Sequence, residues 1–231
     1  TLRVGSGAVV KMRCSPWDAI SVSGTLRVDG AVLTDLGDDT VGGNTSDEAC
    51  GANSYWRIVD DATDGAEVVV ADATVRRGHF GSSSGTGPTR SWRVSGATFS
   101  GSRVDMRAAV TATFTGNTFD GSPLSVTSVK RASRFENNTF RNQPTPVELG
   151  GVDAVVFDLT SGEAGNRFEG ADLMRRVTLS NVAVPDGDDV TWQPRGAVLE
   201  VPTNGSPKVT VAGTLRVGSG AVVKMRCSPW D

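Results

Sequence analysis

The chain has 231 residues, a net charge of −3 and 28 glycines, with 10 prolines but only 1 tyrosine and 1 histidine. Aromatic residues reach 6%, thin for a conventional globular core, whereas the 38% hydrophobic content is mostly Val, Ala, Leu and Phe, which suits short strands around a narrow core. The mildly acidic balance, with no basic stripe, argues against nucleic acid as a partner, and no apolar run is long enough to span a membrane as a helix.

The same eighteen letters, TLRVGSGAVVKMRCSPWD, occupy residues 1–18 and 214–231, an offset of 213 residues. This reads as a tandem array, with 1–213 one repeat unit and 214–231 the start of the next identical unit. A junction duplicated by engineering would leave the same letters. Along the chain, alternation puts Leu2 and Val4 on one face and Thr1 and Arg3 on the other; Val10 and Met12 then oppose Lys11 and Arg13. Such period-two runs are half-buried strands. The tetrapeptide at 25–28 repeats that at 1–4, a spacing of 24. Three insertions interrupt the rhythm, at 34–54, 79–89 and 185–196, and helical periodicity is almost absent.

A second motif recurs as SGATFSG (95–101), TGNTFDG (115–121) and ENNTFRN (136–142), with looser echoes at 164–170 and 180–184. Phe99, Phe119 and Phe140 are spaced by 20 and 21 residues, one turn of a parallel β-helix. Stacked turns lie about 4.8 Å apart, so equivalent residues sit above one another. Phe99, Phe119, Phe140 and Phe168 are therefore expected as one inward column, and Phe114 and Phe135 as another. Asn117, Asn138 and Asn166 fall at a matching bend, where amides can form a ladder and Asn tolerates left-handed backbone. The fold expected is an all-β, right-handed parallel β-helix (β-solenoid). At about 22 residues per turn, a unit holds nine or ten turns and rises about 45 Å.

GSGAVVKM (5–12) followed by SGTLRVDG (23–30) resembles stretches of bacterial secreted right-handed parallel β-helix repeat proteins, and the Phe/Asn turns resemble the pectate-lyase-like helix. In that family an acidic Gly-rich insertion precedes a Trp-containing strand, which corresponds here to residues 38–45 and 55–58. The family's Gly-Asp-Thr is Gly43-Asn44-Thr45 in this chain, which weakens a ligand role there. The resemblance implies a secreted solenoid and says more about fold than about function.

Each unit carries two cysteines, Cys14 and Cys50, and Cys227 copies Cys14. An even count suits a Cys14–Cys50 disulfide in an oxidising compartment, with Cys227 pairing into the next repeat; buried free thiols are the plainer alternative. Asp35, Asp38, Asp39, Asp47 and Glu48 form an acidic cluster among glycines. It is a candidate calcium loop, although it matches neither the EF-hand nor the nonapeptide pattern, and a solvated loop explains it equally. No other cofactor is expected. Asp186, Asp188 and Asp189 invite a paired-carboxylate hydrolase reading, but no partnering His or Arg-x-Lys follows them, and turn acids are the simpler account. His79 stands alone. Trp17, Trp56, Trp92 and Trp192 are sugar-stacking candidates if exposed, and Trp192, Asp188 and Asp189 are the candidate glycan contacts. Asn44, Asn137 and Asn204 begin Asn-x-Ser/Thr sequons.

The function these features suggest is structural: a repeat of a long extracellular or cell-surface solenoid fibre, without catalysis, whose partners are identical repeats end to end. The alternatives are a carbohydrate-binding adhesin contacting glycans or cell surfaces and, behind it, a β-helix polysaccharide lyase or hydrolase.

Overall fold

A computed structural model describes residues 1–15, 19–46, 55–61, 64–82, 89–160, 162, 165–171, 175–194, 196–202 and 208–225. Cys50, Cys227, Asp47, Glu48, Trp17 and Asn204 lie outside them. The chain winds as a parallel β-solenoid, and every strand pair is parallel, each turn lying on the one before. Sheet A runs from Leu2–Val4 through Thr25–Asp29, Glu67–Ala71, Ser91–Ser95 and Thr111–Thr115 to Arg134–Glu136. Sheet B runs from Val9–Met12 through Val32–Asp35, Thr74–Arg76, Thr98–Ser100, Thr118–Asp120 and Thr139–Arg141 to Arg167–Phe168. Sheet C begins at Ala19–Val22 and Trp56–Asp60, continues through Gly78–Gly81, Arg103–Arg107, Leu124–Thr127, Val147–Gly150 and Arg176–Ser180, and closes with Val198–Val201 and Val222–Met225. Two short sheets complete the last turns: Val182–Val184 pairs Val209–Val211, and Asp189–Trp192 pairs Thr214–Val217.

Sheet C has nine strands, so the unit makes about eight turns rather than the nine or ten expected. Insertions account for the difference. Ile20 pairs Ile58 across 38 residues, whereas Met106 pairs Val126 across 20, so the longest turns consume the residues of a further turn. Eight spacings of about 4.8 Å give a rise of about 38 Å per unit.

The strands form where the alternation placed them. Leu2 pairs Leu26 and Val4 pairs Val28, the spacing of 24 read from the sequence, and Leu26 and Val28 are buried. One inward column on sheet B runs Val10, Leu33, Val75, Phe99, Phe119, Phe140, Phe168. Within it the Phe99–Phe119, Phe119–Phe140 and Phe140–Phe168 ring centroids lie 5.0, 4.7 and 5.1 Å apart, nearly parallel. On sheet A, Phe114 stacks on Phe135 at 5.1 Å. Dispersion between such stacked rings adds to the burial of apolar area.

Two expected insertions are shorter than their sequence suggests. Residues 79–81 belong to a sheet C strand, and the 185–196 segment contains the strand Asp189–Trp192. Gly78 explains the first: a β-carbon there would lie 2.3 Å from the Trp56 ring, so the glycine lets that indole pack under the strand.

Candidate functional site

The most developed polar feature of the interior is an asparagine ladder at the corner between sheets A and B. Asn117, Asn138 and Asn166 are all buried. Asn117 Nδ2 donates to Asn138 Oδ1 at 2.9 Å, and Asn138 Nδ2 donates to Asn166 Oδ1 at 3.0 Å. The same oxygens accept the backbone N–H of the residue one turn below: Asn117 N to Asn138 Oδ1, and Asn138 N to Asn166 Oδ1. Each amide nitrogen also donates to a strand carbonyl, Val94 for Asn117, Phe114 for Asn138 and Phe135 for Asn166. The ladder starts at Ala97, whose N–H donates to Asn117 Oδ1. The expected left-handed backbone belongs instead to the preceding residue: Gly96, Gly116 and Asn137 have φ of 62°, 68° and 54°. The ladder asparagines point inward because the residue before them makes the bend.

A second ladder, at the corner between sheets B and C, was not read from the sequence. Gly78 N donates to Ser102 Oγ, Ser102 N to Ser122 Oγ, and Ser102 Oγ to the Val75 carbonyl. Its signal is present, since Ser102 and Ser122 each stand three residues after a column phenylalanine. Also unread was a buried ion pair: Arg90, 0% exposed, meets Asp60 Oδ1 at 2.6 Å, while Asp60 Oδ2 accepts Trp92 Nε1 at 2.9 Å. Arg90 also caps the Ala108 carbonyl. No spacing rule links residues 60 and 90; only the coil brings them together.

On the outer side of sheet B lies a shallow cleft lined by Asp38, Thr74, Arg76, Arg77, Ser100 and Asp120, among others. Here the acidic cluster meets guanidinium groups. Asp35, fully buried, pairs with Arg77 Nε at 2.8 Å, and Asp38 lies 3.4 Å from Arg76 and 3.6 Å from Arg77. Asp38 also accepts hydroxyl bonds from Thr34 and Thr40. Burial opposes its ionisation, but the Thr40 and Thr34 hydrogen bonds and the Arg76 charge outweigh that and hold its pKa at about 2. Asp39 is exposed and apart from this network, and Asp47 and Glu48 lie outside the described residues. Among the described residues, no three His, Cys, Asp or Glu side chains converge as a metal site. Oxygens already bound to arginine are poor calcium ligands, since the cation would have to displace a fixed charge.

The remaining candidates are dispersed. Trp192 is 3% exposed and Trp56 and Trp92 are fully buried, so none presents a ring face for sugar stacking. Asp188 is bound by Arg131, which also reaches Asp153, and Asp189 is paired with Arg216. The Arg131 hydrogen bond holds the Asp188 carboxyl below the usual carboxylate range, the wrong direction for a general acid. Asp188 sits in the turn before the strand and Asp189 begins it, and each is drawn to a different arginine, so the two carboxylates do not converge. His79 Nε2 lies 2.9 Å from Asp105 Oδ2, and Asp105 also contacts Arg103 and Arg107. The Asn44 and Asn137 side chains are exposed.

At the two ends the picture differs. The large hydrophobic residues left exposed are Leu2, Val9, Val211, Val217, Val222, Val223 and Met225, all in the first or last turn. Among the described residues, the intervening turns leave none. Comparison of the chain with family models, curated proteins and solved structures returns no match, so the resemblance to pectate-lyase-like repeat proteins has support from the coil architecture alone.

Proposed function

We propose that this chain is a structural repeat of a long extracellular β-solenoid, a fibre, stalk or surface filament whose units join end to end. The observation that carries the reading is the duplication of residues 1–18 at 214–231, combined with apolar exposure restricted to the two turns that hold the copies. Solenoid ends are normally capped, because an open turn presents unpaired backbone and apolar side chains. Here the end turns carry the strands that another copy would supply.

The interior suits a mechanical role. Parallel ladders, stacked phenylalanines and amide ladders tie each turn to its neighbours, so bending or shearing the rod would break many bonds together. Catalysis has little to support it, since the candidate carboxylates are tied to arginine and lie apart. A Cys14–Cys50 disulfide, clamping the 34–54 insertion to the first turn, belongs to the same proposal, as does a location outside the cell. The test is negative-stain microscopy of chains holding several units. Unbranched threads of constant width support the reading, and compact particles refute it.

A further inference from the structure

We infer that successive units stack with a step of one face, so that sheet C of one unit continues directly into sheet B of the next. This rests on the fibre reading but goes beyond it, because end-to-end joining alone would equally allow sheet B to follow sheet B.

The argument comes from one strand present in two environments. As Val9–Met12 it is the first strand of sheet B, and its edge toward the following turn pairs Val32–Asp35, with Val10 on Leu33 and Met12 on Asp35. As Val222–Met225, the same four residues form the last strand of sheet C, and the edge toward the preceding turn pairs Val198–Val201. There Val223 lies on Leu199 and Met225 on Val201. A strand has two edges, and the two copies use opposite ones. Superposing the copies makes one continuous ladder: Val198–Val201, then the next unit's Val9–Met12, then its Val32–Asp35.

Side-chain direction agrees across the junction. Leu199 is fully buried, Val201 nearly so, and Leu33 beyond the joint is buried too. The joint therefore continues an apolar column and covers Val223, 40% exposed, and Met225, 75% exposed. On the outward side Glu200 pairs Lys224, the copy of Lys11, so opposite charges meet across the strands. The neighbouring strand behaves in the same manner. Thr214–Val217 pairs Asp189–Trp192 on its preceding edge, while its twin at Leu2–Val4 pairs Thr25–Asp29 on its following edge.

The cause of the step is visible in the last turns. Sheet B ends at Arg167–Phe168. Gly196 then passes over that strand, its β-carbon position 2.9 Å from the Phe168 carbonyl oxygen, and no further sheet B strand forms among the described residues. Meanwhile Val182–Val184 opens a new short sheet after sheet C, continued by Val209–Val211. The corners of the coil thus move round: sheet C becomes the next unit's sheet B, and the new short sheet lies where the next unit's sheet C would start. A unit winds eight turns and a fraction, and the arginine–aspartate cleft on sheet B turns about the fibre axis from unit to unit.

The test is a cryo-electron microscopy reconstruction of a chain holding four units. The expected result is a thread in which each unit's Val9–Met12 strand lies on the preceding unit's Val198–Val201, with the sheet B clefts stepping round the axis. A thread in which that strand follows the preceding Arg167–Phe168 column, with the clefts in a straight stripe, overturns the face step and leaves the fibre reading intact. Separate bodies joined by linkers overturn both.

Discussion

Replacing Asn138 by alanine is the sharpest probe of how this interior is held. The side chain is 0% exposed and sits between two others of its kind. Its oxygen accepts from Asn117 N at 3.0 Å and Asn117 Nδ2 at 2.9 Å, and its nitrogen donates to the Phe114 carbonyl at 2.9 Å and to Asn166 Oδ1 at 3.0 Å. In Asn138→Ala, Asn117 Nδ2 keeps the Val94 carbonyl and Asn166 Oδ1 keeps Asn138 N, so those two atoms retain a partner. The Asn117 N–H and the Phe114 carbonyl each lose a buried partner. At about 1–3 kcal/mol for each stranded group, the expected loss is about 2–6 kcal/mol. Urea unfolding followed by tryptophan fluorescence measures it, since Trp56 and Trp92 are buried in the same stack of turns. The control is Asn137→Gly, one residue earlier, exposed and at φ 54°. Glycine adopts that conformation freely, so the change there should stay within about 0.5 kcal/mol. If Asn138→Ala costs less than about 1 kcal/mol with an unchanged denaturant slope, the amide ladder is not a buried network and the reasoning fails.

Phe119→Ala removes a ring stacked on both sides and should cost about 3–5 kcal/mol in the same assay, with Phe119→Leu clearly milder. Asp60→Ala leaves the buried Arg90 charge without its carboxylate and should cost about 3–5 kcal/mol; a near-neutral result would mean that solvent reaches that pair. Gly78→Ala drives a methyl into the Trp56 ring, so both a lower melting temperature and a shifted tryptophan emission are expected. Because the folded Asp38 pKa is depressed from 3.8 to about 2, its contribution is present above about pH 4 and lost as pH falls toward 2. Stability profiles of the wild type and Asp38→Asn should therefore converge at the acidic end, and parallel profiles would contradict the assigned hydrogen bonds. Non-reducing peptide mapping should recover a Cys14–Cys50 linked peptide, and free thiols at both positions would remove the clamp from the proposal.

Much of the architecture was legible because a solenoid writes its period into the chain. Phe99, Phe119 and Phe140, and the paired TLRV segments, name their own partners once a turn length is assumed, and the register follows. The number of turns was less legible, since insertions lengthen a turn without adding one. The strand at 79–81 looked like loop because glycine was read as flexibility, when Gly78 makes room for an indole. Trp192 looked like a binding platform from its acidic neighbours, yet it alternates inward within its strand. The Asp60–Arg90 pair and the arginine partners of Asp35, Asp38 and Asp188 could not be read at all. Charged contacts between turns carry no sequence period, and only the winding of the coil sets which side chains meet.

The central claim is that the unit is a segment of one continuous coil with about eight turns per 213 residues. The most direct measurement is the length of chains built with one, two, four and eight units, read from electron micrographs. Continuous winding predicts straight threads that lengthen by about 38 Å with each added unit. Increments well away from that value, or lengths that scatter as for beads on a flexible string, would contradict it.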